Sequence, residues 1–81
     1  MNRTQAEQVV ENVSMGAGNA VTLDEQKNVV LFKSRKGGLW LADFNRIRDE
    51  DDVTGDRHEV SQKQAVLMVM AAEKVENVFA S

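Results

Sequence analysis

The sequence predicts an α+β fold. It has an N-terminal helix, a small three-stranded antiparallel sheet (a β-meander) and a C-terminal helix, with the helices packed on the sheet. Three observations lead there. Apolar residues recur at helical spacing in residues 6–13 and again in residues 65–79. Between them, two runs rich in β-branched and aromatic residues, VVLFKS and LWLADF, flank Gly37-Gly38 in the pattern of a β-hairpin. With 81 residues there is room for one hydrophobic core, so residues 1–81 are expected to form a single domain.

The elements follow in chain order. Thr4 and Glu7 have capping-box spacing. Behind them Ala6, Val9, Val10 and Val13 share one side of a helix, which Gly16 and Gly18 end near Ser14 to Gly16 because glycine takes the left-handed C-cap conformation readily. AVTL, residues 20–23, is expected as one strand, and DEQKN, residues 24–28, as the turn leading into the hairpin. A two- or four-residue hairpin connection places Val30, Phe32, Leu39 and Leu41 on one face, with Val29, Leu31, Trp40, Ala42 and Phe44 on the other. Both faces are then apolar, whereas a sheet with one wet face alternates more cleanly. Helices cover one face; the other calls for loops, the C-terminal helix or a second subunit.

Residues 45–59, NRIRDEDDVTGDRHE, read as an acidic exposed connection anchored by Ile47 and Val53. Ser61 and Gln64 form a second capping-box spacing. The helix they open is expected to run to about Phe79, burying Met68, Ala71, Ala72, Val75 and Phe79. Val66 and Met70 fall on its other side and widen the apolar surface beyond one sheet face. The tetrapeptide VENV occurs at residues 10–13 and 75–78, but nothing around the two copies repeats. Valines three apart are what an amphipathic helix produces unaided, so the copies read as two similar helices and not as a duplication.

Composition excludes several functions. The absence of cysteine removes disulfides, thiolate zinc sites and thiol nucleophiles, and it fits a reducing compartment. The start, MNRTQAEQ, lacks the apolar region of a secretory signal. The longest purely apolar run, AVLMVMAA, is too short to cross a bilayer. A cytoplasmic protein without membrane partners is expected. Residues 43–59 carry seven acids against three bases, a local charge of −4 in a chain whose total is −3. No strongly basic face of the kind phosphate-binding proteins present is evident.

Catalytic machinery is sparse. His58 is the only histidine, and it sits near Asp56 and Glu59 in a polar segment where all three are expected to be solvated, so no catalytic residue is assigned. Asp49, Glu50, Asp51, Asp52 and Asp56 offer hard oxygen ligands. A calcium loop opening at Asp49 fails, however, with Val53 at its fifth position and Thr54 at its sixth. No metal or cofactor is expected, and the acidic run reads as a solvated face or as a docking surface for a basic partner. KSRKGG is no phosphate loop, because its glycines follow the bases and a strand follows the glycines.

Lys33, Arg35 and Lys36 cluster at the hairpin tip, and a two-stranded ribbon fits a DNA groove. Nucleic-acid binding is therefore the alternative function, although three bases make a small footprint beside an acidic segment. Trp40, the sole tryptophan, suits sheet packing or the anchor of a protein interface. The expected function is a noncatalytic protein-binding module or small modulator, a type common among accessory proteins of bacteria and phages. It would engage another protein through Trp40, Asp49, Asp51, Asp52, Val66 and Met70, and homodimerise over its spare apolar surface. A small metal-dependent enzyme is the weakest alternative.

Overall fold

The computed structural model describes residues 1–15, 20–34, 37–47 and 57–78. The chain runs through helix α1 (Arg3–Met15), strands β1 (Ala20–Thr22), β2 (Val30–Lys33) and β3 (Leu39–Ala42), and a 3₁₀ turn at Phe44–Arg46. Strand β4 (His58–Val60), helix α2 (Gln62–Ala71) and strand β5 (Glu76–Asn77) follow. Among the described residues the sheet therefore has five strands, not three; its order is β4-β3-β2-β1-β5, and every neighbouring pair is antiparallel. The β-meander is present as β1-β2-β3, and it gains one further strand on each edge. The fold is mixed α and β, and among the described residues no helix is long and apolar enough to cross a membrane.

The extra strand β5 arises where a helix was expected. Helix α2 stops at Ala71, and Ala72 turns extended with φ −66° and ψ 141°. Nothing local forbids further helix, since residues 72–78 contain neither glycine nor proline. The competing partner is the free edge of β1. Leu23 O accepts from Glu73 N at 3.1 Å and Lys74 N at 3.4 Å, and Ala20 O accepts from Val78 N at 2.8 Å. The pairings Val21 with Asn77 and Thr22 with Glu76 complete the ladder. The two VENV copies consequently differ. In α1, Val10 and Val13 point together into the core. In the second copy Val75 packs on the helix side of the sheet and Val78 on the opposite side, as alternation in an extended chain requires. One tetrapeptide adopts two conformations, and the expectation of two similar helices is corrected.

The hairpin register also differs from expectation. Lys33 pairs with Leu39, Phe32 with Trp40, Leu31 with Leu41 and Val30 with Ala42, so residues 34–38 make an odd connection. Gly37 N donates to Ser34 O and Ser34 N to Gly38 O, at 2.9 and 3.2 Å, with both glycines at positive φ, +101° and +87°. An odd loop shifts one strand by a residue and exchanges its faces. Val30 and Phe32 therefore share a face with Trp40 and Ala42, while Leu31 shares the other with Leu39 and Leu41.

Both helices cover that second set. Ala6, Val10 and Val13 of α1 and Ala65, Val66 and Val69 of α2 pack over Val21, Leu23, Leu31 and Leu39. Helix α1 is capped two residues earlier than the Thr4 spacing suggested. Asn2 Oδ1 accepts from Gln5 N at 2.8 Å, and Gln5 Oε1 accepts from Asn2 N at 3.1 Å. The Ser61–Gln64 capping box of α2 forms as expected, at 3.1 and 2.9 Å. On the opposite face Ala20, Val30, Phe32, Ala42 and Ile47 form a second core, flanked by Trp40, Phe44 and Val78. Phe32 is only 3% exposed there, so this centre is closed within a single chain and needs no second subunit. Thr22, buried on this face, donates its hydroxyl to Asp24 O at 2.8 Å.

Candidate functional site

The surface with the most organised chemistry lies at the edge of the second sheet face. Trp40 of β3 stands between Phe32 of β2 and Glu59 of β4 in the pairing register. It is partly buried, its indole Nε1 donates to Gly37 O at 3.3 Å, and the Arg57 guanidinium lies 4.8 Å from its ring centroid. Gly38 leaves room for this arrangement: a Cβ there would lie 2.5 Å from Glu59 Oε2 and 3.2 Å from Trp40 Nε1. Two residues beyond Ala42 on the same face, Phe44 carries a second cation, Lys27 Nζ, at 5.1 Å. Phe44 N donates to Lys27 O at 3.0 Å, tying the β1–β2 turn to the 3₁₀ turn. The result is two aromatic rings topped by bases, Trp40 held by strand pairing and Phe44 by the 3₁₀ turn.

The other expected site residues do not join these two rings. Val66 is buried, 6% exposed, in the interface between the helices and the sheet. Met70 lies on α2, on the other side of the sheet from Trp40, and is 36% exposed. Next to it on the helix surface stands Leu67, 51% exposed, which the periodicity argument passed over. Its signal was available: AVLMVMAA is apolar all round, and a helix packed on one side only must leave some of it outside. Lys33 falls on the helix side of β2, partly buried, beside a shallow groove formed with Ser14, Leu39, Val60 and Gln62. Arg35, Lys36, Asp49, Asp51 and Asp52 lie outside the described residues. Arg57 was not singled out from the sequence, where only its place in a polar run was visible.

Two further places bear on chemistry. His58 is exposed on β4 opposite Leu41, at the mouth of a groove of about 330 Å³ shared with Asp43, Arg46 and Met68. The Asp43 carboxylate is engaged there as the cap of the 3₁₀ turn, accepting from Asn45 N at 2.8 Å. Among the described residues, no group of three or more His, Cys, Asp or Glu is arranged to hold a metal ion. A larger open groove of about 520 Å³ separates α1 from β5, and both VENV copies line it through Asn12, Val13, Val75 and Asn77. At its far side Lys74 pairs with Glu76 at 3.1 Å and Glu25 at 3.6 Å. The hydrogen bond to Glu76, reinforced by the charge of Glu25, holds the Lys74 ammonium above its ordinary pKa. Comparison with protein-family models, with curated proteins and with solved structures finds no match to any of them.

Proposed function

We propose that the chain is a noncatalytic protein-binding module of the cytoplasm, recognising its partner through the Trp40–Arg57 edge of the sheet. One observation carries this reading: the only tryptophan is partly exposed and already held in place, by its bond to Gly37 O and by the stacked Arg57. Tryptophan and arginine supply a disproportionate share of interface energy. A side chain fixed before binding loses little further conformational freedom on docking. The arrangement offers a partner an apolar plate with a positive rim, and no covalent chemistry enters the proposal.

The test is affinity capture of the tagged chain from lysate of its native host, with nuclease added, comparing wild type with Arg57→Glu. Circular dichroism would verify that the variant is folded. A stoichiometric protein retained after nuclease treatment, and lost with Arg57→Glu, supports the reading. Recovery of nucleic acid, or of proteins that disappear on nuclease treatment, would move the function to Lys33, Arg35 and Lys36.

A further inference from the structure

Helix α2 presents an exposed stripe of Lys63, Leu67, Met70 and Ala71 on the side away from the sheet. These positions are related by steps of three and four and so lie on one face. The charges around the stripe are placed against the helix's own dipole. Lys63 sits in the first turn, which contains no acid, and the last turn contains no base. Glu73 follows just beyond the C-terminal end, and among the described residues neither Lys63 nor Glu73 is in an ion pair. A base at the positive end of a helix and an acid at its negative end each weaken that helix.

The same placement suits an antiparallel copy. We infer that α2 is the contact of a two-fold homodimer in which the α2 helices of two chains pack antiparallel, with the axis at the level of residue 68, between Leu67 and Met70. Lys63 of each chain then faces the C-terminal end of the other's α2, about 12 Å along the helix at Ala71, beyond which Glu73 follows. Both dipoles and both charges are compensated across the axis. Leu67 and Met70 cover their counterparts, as an isologous interface requires of any patch lying on its axis. A foreign helix would have to reproduce this order of base, apolar pair and acid; the chain's own α2 already has it. The surface is separate from the Trp40–Arg57 edge, since the sheet lies between them.

Sedimentation equilibrium of the intact chain tests the inference. Wild type is expected at the mass of two chains and Leu67→Glu/Met70→Glu at the mass of one, with unchanged circular dichroism. Lys63→Glu alone and Glu73→Lys alone should each raise the dimer dissociation constant roughly two- to thirty-fold, the range of two exposed ion pairs. The double exchange should restore the charge pairing and recover part of that loss, the helix dipoles remaining uncompensated. Lys63→Glu should also leave the thermal stability of the monomer unchanged or higher, because the new acid suits the helix dipole. A monomeric wild type, a Leu67→Glu/Met70→Glu variant that remains dimeric, or charge reversals that fail to compensate each other would overturn the proposal. Loss of dimerisation leaves capture through Trp40 intact, so the two proposals fail independently.

Discussion

Replacing the two hairpin glycines separately should distinguish backbone strain from contact at the Trp40 site. Both residues have positive φ, +101° at Gly37 and +87° at Gly38, where an L side chain costs about 1–3 kcal/mol. At Gly37 a new Cβ meets nothing within 4 Å, so Gly37→Ala should cost that strain alone. At Gly38 the Cβ falls 2.5 Å from Glu59 Oε2 and 3.2 Å from Trp40 Nε1. The Glu59 carboxylate can swing aside at little cost. The indole cannot move without loosening its bond to Gly37 O and its stacking with Arg57. Losing an exposed hydrogen bond and a surface cation–π contact together adds about 1 kcal/mol. Thermal melts should therefore show both variants destabilised, by about 4–8 °C for each kcal/mol in a chain of this size. Only Gly38→Ala should alter the emission of the single tryptophan. Equal emission from the two variants, or a Gly37→Ala protein as stable as wild type, would refute the described loop geometry.

Three other outcomes follow from the core, the cap and Lys74. Leu31, fully buried on the central strand beneath both helices, should cost about 2–5 kcal/mol when changed to Ala, read from the urea midpoint at constant slope. Ser61→Ala removes the acceptor for Gln64 N and should cost about 0.5–2 kcal/mol, with a matching loss in chemical denaturation. Lys74 has a raised pKa through Glu76 and Glu25, so its contribution is fully present below the unfolded value near 10.5 and is lost as pH rises through the folded value. Lys74→Met should flatten the alkaline limb of the stability curve above that pH, and an unchanged limb would remove the role assigned to this pair.

What the sequence made legible was local. The α1 stripe, the hairpin and the Ser61 cap are set by neighbours within a few positions, where spacing and capping chemistry decide. What it concealed was non-local. Residues 72–78 have acceptable helix formers, and they become β5 because β1 offers an open edge and Leu23 O takes two amides from the chain leaving α2. Strand β4 has three residues, HEV, too few for a period to show. The register of β2 against β3 depended on one residue of loop length, and that residue decides whether Trp40 faces the helices or the opposite surface. The candidate site was half visible for the same reason. Trp40 stood out by residue type, whereas Arg57 reaches it only through β4, from across the polar segment. Met70 stood out as an off-face apolar residue; Leu67, beside it on the finished helix, has meaning only once the sheet side of α2 is known.

Intrinsic fluorescence reads the proposed protein-recognition role of the Trp40–Arg57 edge at its own side chain, because the chain has one tryptophan. The protein captured from host lysate would be purified and titrated into the wild-type chain, following Trp40 emission beside calorimetry, with a partner signal subtracted or its tryptophans replaced. A blue shift that saturates at the calorimetric stoichiometry is expected, as docking removes the indole from water. Tight binding that leaves Trp40 emission unchanged would contradict that role.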